Sequence, residues 1–580
     1  MTVRDLAKGG EYLLREAVGS NLFTPEDFSL EQRQIAETTE AFVTNEILPD
    51  LERLEEQDFS LLKEKLRRCA ELGLFLVDIP EEFGGLELDK ATSMLVAEKI
   101  GPTGSFAITS SGQTGIGSLP LVYYGTSVQK EKYLGKLISG DWIGAYCLTE
   151  PDCGSDPLSA RTTARLSPDG SCYLLNGVKQ FITNAAFADL FTVFAKIDGQ
   201  HFSAFLVERG MPGLSIGKEE KKLGLKGTST AQVVLEDVPV PVENLLGEAG
   251  KGHKIAFNVL NVGRLKLAAT VTGAGKGAFG ESARYAVERK QFGQALVTFG
   301  AIGEKLADMT AALFVAESLL YRVAGLLDER IAMLDRGGDD YYTRYQQAIE
   351  EYAGECAIAK VFCTRTLELV ADEGVQIHGG YGYIKDYPIE RYYRDERINR
   401  IFEGTNEINR LLIPTLFFRR AESGALDLWN AAEKVKKELH SEVSETSGEN
   451  GKIDMEFGLL AGLKKLFLLL AEQGRGCSDQ EVLLALGDLT IEIFALESCL
   501  LRASKKKQLL LLAVARVAAF ESGNRFRSAV GRCAAYVAQG NELAALQKTI
   551  EQLNTYPVID LLPAKRQLAA AAADSGVYPF

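Results

Sequence analysis

Three stretches of this chain carry residues whose types and spacing could do chemistry. In RIFEGTNEINR, Arg400 to Arg410, the carboxylate Glu403 stands between an aromatic residue and a Gly-Thr pair at the mouth of a helix. A carboxylate in that setting is either a solvated surface group or a general base whose basicity is raised by burial. In YCLTEPDCGSD, Tyr146 to Asp156, a Gly-Ser step lies among small and polar residues. Such a loop lets backbone N–H groups and a hydroxyl approach a pyrophosphate, because Gly154 adds no Cβ, although a Gly-Ser step also serves as an ordinary turn. In VKQFITN, Val178 to Asn184, strand alternation sends Phe181 and Thr183 to one face. There an aromatic wall and a hydrogen-bonding group could meet a flat heterocycle, or could equally be core and edge residues of a sheet.

Two further motifs follow. YAVERKQFG ends a long helical stretch and sets Arg289 near Phe292. An arginine there can clamp phosphate oxygens through paired N–H groups, or simply complement the helix end. VQIHGGYGY, Val375 to Tyr383, is a glycine-rich bend in which Gly379, Gly380 and Gly382 permit close approach of a ligand or another backbone, and His378 reads as a packed ring. The nine cysteines form no CxxC pair and no histidine sits at metal spacing, so reduced thiols and no metal site are expected. The net charge of −15 argues against a nucleic-acid binder, which needs a basic face.

The elements that must position these residues fall into blocks. From Glu31 to about Asp141, apolar residues recur at spacings of three and four, which predicts helices. Around Tyr146 the pattern changes to short runs rich in β-branched and aromatic residues, separated by Gly, Asn, Asp and Pro, which predicts an antiparallel β domain. After Gly252 long helical patterns return, enough for a four-helix bundle with its last helix beginning at Thr405. SEVSETSGENGK, Ser441 to Lys452, reads as a polar linker before further helices. The domains expected are residues 1–144, 145–252, 253–425 and 426–580 of the 580-residue chain. The N-terminus has no apolar signal segment and carries acidic residues too early for a transit peptide, so a bacterial cytoplasmic location is expected.

In this order, YCLTEPDCGSD, KQFITN, KLGLKGTSTAQVVLEDVPVP, LNVGR, ERKQFG, QIHGGYGY and RDERINRIFEGTNEI closely resemble the acyl-CoA dehydrogenase family, from about Ser29 to Arg420. The resemblance implies a mainly α fold with a central β domain: a helical domain, an antiparallel β-barrel-like domain and a four-helix bundle. It implies FAD between the β domain and the bundle, completed by a neighbouring subunit. By the same resemblance Tyr146, Leu148, Thr149, Gly154 and Ser155 meet the flavin and its pyrophosphate, and Phe181 and Thr183 line the isoalloxazine ring. Relatives often carry Trp where Phe181 stands, so stacking survives while an indole hydrogen bond is lost. Arg289, Gln291, Phe292, Gln376, Gly379 and Gly380 hold the adenine side across the subunit boundary, and Thr405 and Glu407 touch the cofactor.

Glu403 matches the family's catalytic base. The implied reaction is α,β-dehydrogenation of an acyl-CoA thioester: the base removes the pro-R α-proton while a hydride leaves Cβ for flavin N5, giving a trans-2-enoyl-CoA. The thioester carbonyl is held by the backbone N–H of the base, beside Gly404, and by a ribityl hydroxyl. Some branches carry the base on the helix near the LNVGR arginine; here that position is Gly263, which holds no acid. Asn261 is expected to meet the substrate, as is Ser155, and Arg264 to pack behind the site.

Most members end near RRAESG, whereas this chain continues for about 150 residues, as in the very-long-chain branch. That branch is typically a homodimer, the extension replacing the second dimer of a tetramer. Gly263 and the small residues of FAITSSGQTG, Phe106 to Gly115, would leave room for a long acyl chain. Each buried methylene contributes about 0.8 kcal/mol, so a deep pocket selects long substrates in fatty acid β-oxidation. Electrons are expected to pass to an electron-transfer flavoprotein; an acyl-CoA oxidase using oxygen, and a fold-retaining assembly or binding protein, are the alternatives. The apolar stripe at 459, 460, 463, 466, 467 and 470 fits a core helix of the extra domain, the reading we favour, or a peripheral membrane-surface helix.

Overall fold

The computed structural model describes residues 6–17, 22–338, 340–440, 453–506 and 508–580, so the linker expected at Ser441–Lys452 lies outside the described residues. The first block is helical: Leu30–Phe42, Phe59–Glu71, Lys90–Ile100, Ser105–Gly112 and Ser127–Ile138 are its main helices. Two of them start on reciprocal caps, Ser29 with Gln32 and Thr126 with Gln129, each satisfying an otherwise orphaned N–H at either side of the helix start. Lys90–Ile100 runs through the interior, capped by Asp89 accepting from the Thr92 N–H at 2.7 Å.

The middle block is a sheet of β1 (Gly144–Cys147), β2 (Thr163–Leu166), β3 (Cys172–Thr183), β4 (Leu190–Ile197), β5 (His201–Glu208), β6 (Leu214–Ile216), β7 (Thr230–Pro241) and β8 (Leu245–Leu246). Its order is β6-β7-β3-β2-β4-β5-β8, with β1 also paired to β4. The expected barrel-like β domain is present, and its sheet differs from a closed antiparallel barrel in two ways. β1 and β2 both run parallel to β4, and among the described residues the terminal strands β6 and β8 pair only with β7 and β5, so no ladder closes the sheet. The terminal strands are short, three and two residues.

The four long helices Gly252–Glu288, Gly300–Ile331, Ala353–His378 and Asn406–Glu422 form the bundle. Glycine lets the first of them approach the N-terminal block: a Cβ on Gly273 would lie 1.8 Å from the Glu98 carbonyl oxygen. Gly300–Ile331 is long and apolar enough to cross a membrane, but its residues are mostly buried in this bundle.

The extension adds the helices Leu428–His440, Asp454–Gln473, Gln480–Ser504, Leu509–Val537, Gly540–Leu553 and Leu562–Ser575. Gln480–Ser504 packs on Asn406–Glu422 and Gly300–Ile331, so the extension is built onto the bundle that carries Glu403. Asp488 joins the two through Arg410, whose Nε and Nη2 donate at 2.8 and 2.5 Å. Leu459, Leu460, Leu463, Leu466, Phe467 and Leu470 are all buried, which corrects the membrane-surface reading of that stripe. Its helical period records only that one face is apolar, and here protein covers that face.

Candidate active site

Glu403 lies in a turn between a short helix ending at Arg400 and the helix Asn406–Glu422. Thr405 starts the latter, its hydroxyl accepting from the Ile408 N–H at 3.1 Å. The chain reaches that cap through two consecutive left-handed residues, Glu403 at φ 57° and Gly404 at φ 76°. Glycine adopts this region freely, whereas a glutamate does so at a cost of about 1–3 kcal/mol and needs surrounding structure to hold it.

That structure comes from three side chains. Asn409 Nδ2 donates to the carbonyls of Glu403, Gly404 and Thr405 at 3.4, 2.8 and 3.0 Å. Lys360 Nζ donates to the Gly404 carbonyl and to Asn406 Oδ1, both at 2.8 Å. Arg264 Nε donates to the Glu403 carbonyl at 3.3 Å while its Nη1 donates to Asn261 Oδ1 at 2.9 Å. Arg264 thus packs behind the turn, and Asn261 faces Arg264.

The carboxyl group points the other way. Its Oε2 is shielded from solvent and accepts no hydrogen bond among the described residues. Burial pushes the Glu403 carboxyl up to about 7, with Arg264 and Lys360 offsetting part of the effect. Gly263 lies directly beneath it: a Cβ there would sit 2.9 Å from Oε2 and 3.3 Å from the carboxyl carbon. The expected space at Gly263 is therefore space for the Glu403 side chain. A cavity opens beside it, lined by Ile108, Ser111, Gly112, Gly115, Ile116, Thr183, Gly263, Lys266, Leu267, Thr270, Phe402 and Glu403. FAITSSGQTG thus does supply one wall, where a break in helical geometry at Gly115 widens the bend.

The β domain brings a second group of expected residues to this place. Between Lys179 and Ile182 the β3–β7 register slips by one residue, and Phe181 there takes φ 58°. Ile182 points into the sheet core while Phe181, 60% exposed, and Thr183 face away from it. The loop after β1 is fixed by a buried ion pair: Lys179 Nζ donates to Glu150 Oε1 at 2.7 Å and to the Leu148 carbonyl at 3.3 Å. Glu150 also accepts from the N–H groups of Arg161 and Thr162 at 2.6 and 3.1 Å. Tyr146 and Leu148 are buried, Tyr146 donating to the Ala256 carbonyl at 3.4 Å, Thr149 is half-buried, and Gly154 and Ser155 are exposed.

A third group lies apart. Arg289, Gln291, Gly379 and Gly380 line a separate cavity with Tyr285, Leu296, Ile377, His378, Tyr381 and Ile384, which shares no residue with the one beside Glu403. Arg289 stands over the Tyr381 ring, its guanidinium carbon 5.2 Å from the centroid. Phe292 is 93% exposed, and Gln376 and Glu407 are also on the surface. His378 is a packed ring, stacked on Tyr285 at 4.1 Å with Nδ1 2.7 Å from the Gly374 carbonyl.

These surfaces fit a flavin dinucleotide. Phe181 offers an exposed aromatic face, and no atom lies within 4 Å of the place a Cβ would occupy on Gly154, Gly379 or Gly380, so a pyrophosphate or adenosine can approach the backbone. Sequence reasoning did not single out Lys360, Asn409, Lys179 or Glu150. The available signal was a lysine inside an otherwise apolar run, AIAKVF, for Lys360; strand alternation puts Lys179 on the face of Phe181 and Thr183, and only the register slip separates them.

The pattern of the acyl-CoA dehydrogenase N-terminal domain matches residues 29–141, that of the middle domain 145–238, and those of two C-terminal domains 250–415 and 463–551. A probable acyl-CoA dehydrogenase of Bacillus subtilis is 41% identical over 587 residues, covering 99% of both chains. The mitochondrial very long-chain specific acyl-CoA dehydrogenase of Homo sapiens is 41% identical over 373 residues, 63% of this chain and 53% of its own. A crystal structure described as acyl-CoA dehydrogenase complexed with FAD, from Bacillus anthracis, superposes with a TM-score of 0.96 at 44% identity, covering 99% of this chain and 100% of that one. The chain belongs to the acyl-CoA dehydrogenase family of FAD-dependent enzymes.

Proposed function

We propose that this enzyme oxidises long-chain fatty acyl-CoA thioesters to trans-2-enoyl-CoA, with Glu403 as the base, and passes electrons to an electron-transfer flavoprotein. The observation that carries the reading is the Glu403 carboxyl: its Oε2 is shielded, accepts no hydrogen bond among the described residues, and faces a cavity that runs along the helix Gly252–Glu288. A carboxyl at about 7 is poised to accept a proton near neutral pH, where an ordinary one is too weak a base. FAD, when bound, supplies the hydride acceptor for the β-carbon. The chain's own residues orient the thioester and move the α-proton: the C–H electron pair is released toward the carbonyl as the proton passes to the Glu403 carboxylate. None of the hydrogen bonds holding the turn uses the Glu403 N–H, which is left to donate to the thioester oxygen as negative charge grows there.

Phe181 and Thr183 would flank the flavin ring, and the loop 148–155 would meet its pyrophosphate. The separate cavity at Arg289, Gln291 and Gly379 would hold the adenosine of a cofactor bound mainly by a second subunit, which makes the homodimer the functional unit. The likeness to the very long-chain specific human enzyme supports a long substrate.

The test is turnover of hexadecanoyl-CoA and butanoyl-CoA by the FAD-loaded enzyme, with an artificial dye or with oxygen as acceptor and peroxide measured. The proposal expects dye-dependent turnover favouring the long ester and little peroxide. Rapid peroxide formation would make the protein an oxidase, and preference for butanoyl-CoA would overturn the chain-length assignment.

A further inference from the structure

The cavity beside Glu403 does not end in an apolar wall. Its lining follows one face of the helix Gly252–Glu288 through Gly263, Lys266, Leu267 and Thr270, at the spacings of three and four that stack along a helix. Ile108 and Thr270 also line a second cavity, which continues along the same face through Val271 and Ala274. The far side of this second cavity is polar, formed by Arg391, Asp395, Glu396 and Asn399.

Arg391, Asp395 and Glu396 are each more than nine-tenths buried, at 8%, 6% and 4% exposure. Part of their bonding capacity is used. Arg391 Nη2 donates to the Pro102 carbonyl at 3.1 Å, Asp395 Oδ1 accepts from the Leu225 N–H at 2.5 Å, and Glu396 Oε1 accepts from Arg400 at 3.0 Å. Arg391 Nη1 and Asp395 Oδ2 remain: they face each other as an ion pair at 3.6 Å, beyond hydrogen-bond length, and neither makes a hydrogen bond among the described residues. Gly104 faces them both, for a Cβ there would lie 2.5 Å from Nη1 and 2.7 Å from Oδ2. A buried donor and a buried acceptor thus stand side by side at a glycine. A hydroxyl is the smallest organic group that accepts from the one and donates to the other. A terminal carboxylate could accept from Arg391 but has no proton to donate to Asp395 Oδ2.

We propose that this second cavity receives the terminal hydroxyl of an ω-hydroxyacyl chain, so that long ω-hydroxyacyl-CoA esters are substrates alongside the plain ones. The inference rests on the reading of Glu403 as the base that fixes the α-carbon. From Gly263 to Ala274 the helix rises about 16 Å, at about 1.5 Å per residue. An extended methylene chain advances about 1.3 Å per carbon, given bonds of about 1.5 Å, so chains of about fourteen to sixteen carbons reach the polar floor. A shorter ω-hydroxy chain leaves its hydroxyl short of that pair, in a cavity whose polar side chains Ser111, Lys266 and Thr270 are already engaged in hydrogen bonds of their own.

The test compares kcat/KM of the FAD-loaded enzyme for ω-hydroxy and plain esters of ten, twelve, fourteen and sixteen carbons, with a dye acceptor. The expected result is a hydroxy-to-plain ratio below one for the ten-carbon pair that rises to one or more for the sixteen-carbon pair. Gly104→Ala, which places a methyl between Arg391 and Asp395, is expected to lower the sixteen-carbon ratio at least fivefold; if that variant does not fold, the wild-type series decides. A sixteen-carbon ratio below one, or a ratio that does not change with length, overturns the proposal. Loss of flavin reduction with every ester, plain ones included, overturns the reading of Glu403 and this inference with it.

Discussion

Replacing Glu403 by Gln should stabilise the protein while destroying its activity, and the gain should depend on pH. Burial raises the folded carboxyl to about 7 from an ordinary value of 4.5. The folded protein therefore keeps a proton that the unfolded chain releases between those values, and stability is lost as pH rises through that window. At about 1.4 kcal/mol per pH unit the loss has a ceiling of about 3 kcal/mol, and relaxation around the half-buried residue brings it to about 1–2 kcal/mol. A neutral amide of the same shape escapes it. Lys360, lowered to about 7 by burial although the Glu403 carboxylate pulls it back up, loses that partner in the variant, which narrows the difference at the alkaline end without reversing it. The assay is the thermal midpoint of FAD-loaded wild type and Glu403→Gln between about pH 5 and pH 8. With about 2–4 °C per kcal/mol for domains of this size, the midpoints should nearly coincide at the acid end and differ by several degrees, variant higher, at the alkaline end. A difference that does not change with pH, or a variant less stable at pH 8, would refute the argument that this carboxyl is desolvated and unpaired.

Other outcomes follow from the same geometry. The kcat/KM of the wild type should fall about tenfold per pH unit below about 7 as Glu403 takes up its proton, read from a pH profile with a dye acceptor. Gly263→Ala forces a methyl to 2.9 Å from Oε2 and should displace the carboxyl, lowering kcat at least tenfold with flavin content retained, as measured by absorbance. Asn409→Ala removes the donor shared by three carbonyls of the turn and should cost about 1–3 kcal/mol in thermal stability together with part of kcat. Asp78 joins the buried amines of Lys90 and Lys266 at 2.5 and 3.0 Å; burial pushes its carboxyl up, but the two lysines outweigh this and hold it well below the usual range. Asp78→Asn leaves both charges without their counter-ion and should cost about 3–5 kcal/mol, seen as a large drop in thermal midpoint.

Much of this site was legible in the chain because its signals are local. A glutamate followed by Gly-Thr at a helix start already implies a tight turn with a cap, and the φ values of Glu403 and Gly404 realise it. The helical, β and helical blocks follow from periodicity, which neighbouring residues fix. What was not legible depends on pairing across long separations. Lys360 reaches the Gly404 carbonyl from a different helix, and only the fold brings the two together. Closure of the β domain depends on whether its terminal strands meet, which strand patterns do not encode; here β6 pairs with β7 and β8 with β5. The apolar stripe from Leu459 to Leu470 shows the same limit, since its spacing is identical whether lipid or protein covers it. The slip in β3 that turns Phe181 outward lay hidden in an apparently regular alternation.

The most direct measurement is the anaerobic mixing of hexadecanoyl-CoA with the FAD-loaded enzyme and with Glu403→Gln, following flavin absorbance. Rapid bleaching of the wild type, with a rate in the variant lower by about 10²-fold or more and FAD still bound, is the predicted result. Equal bleaching of both proteins would remove Glu403 from the chemistry, and no bleaching of the wild type would contradict the fatty acyl-CoA assignment itself.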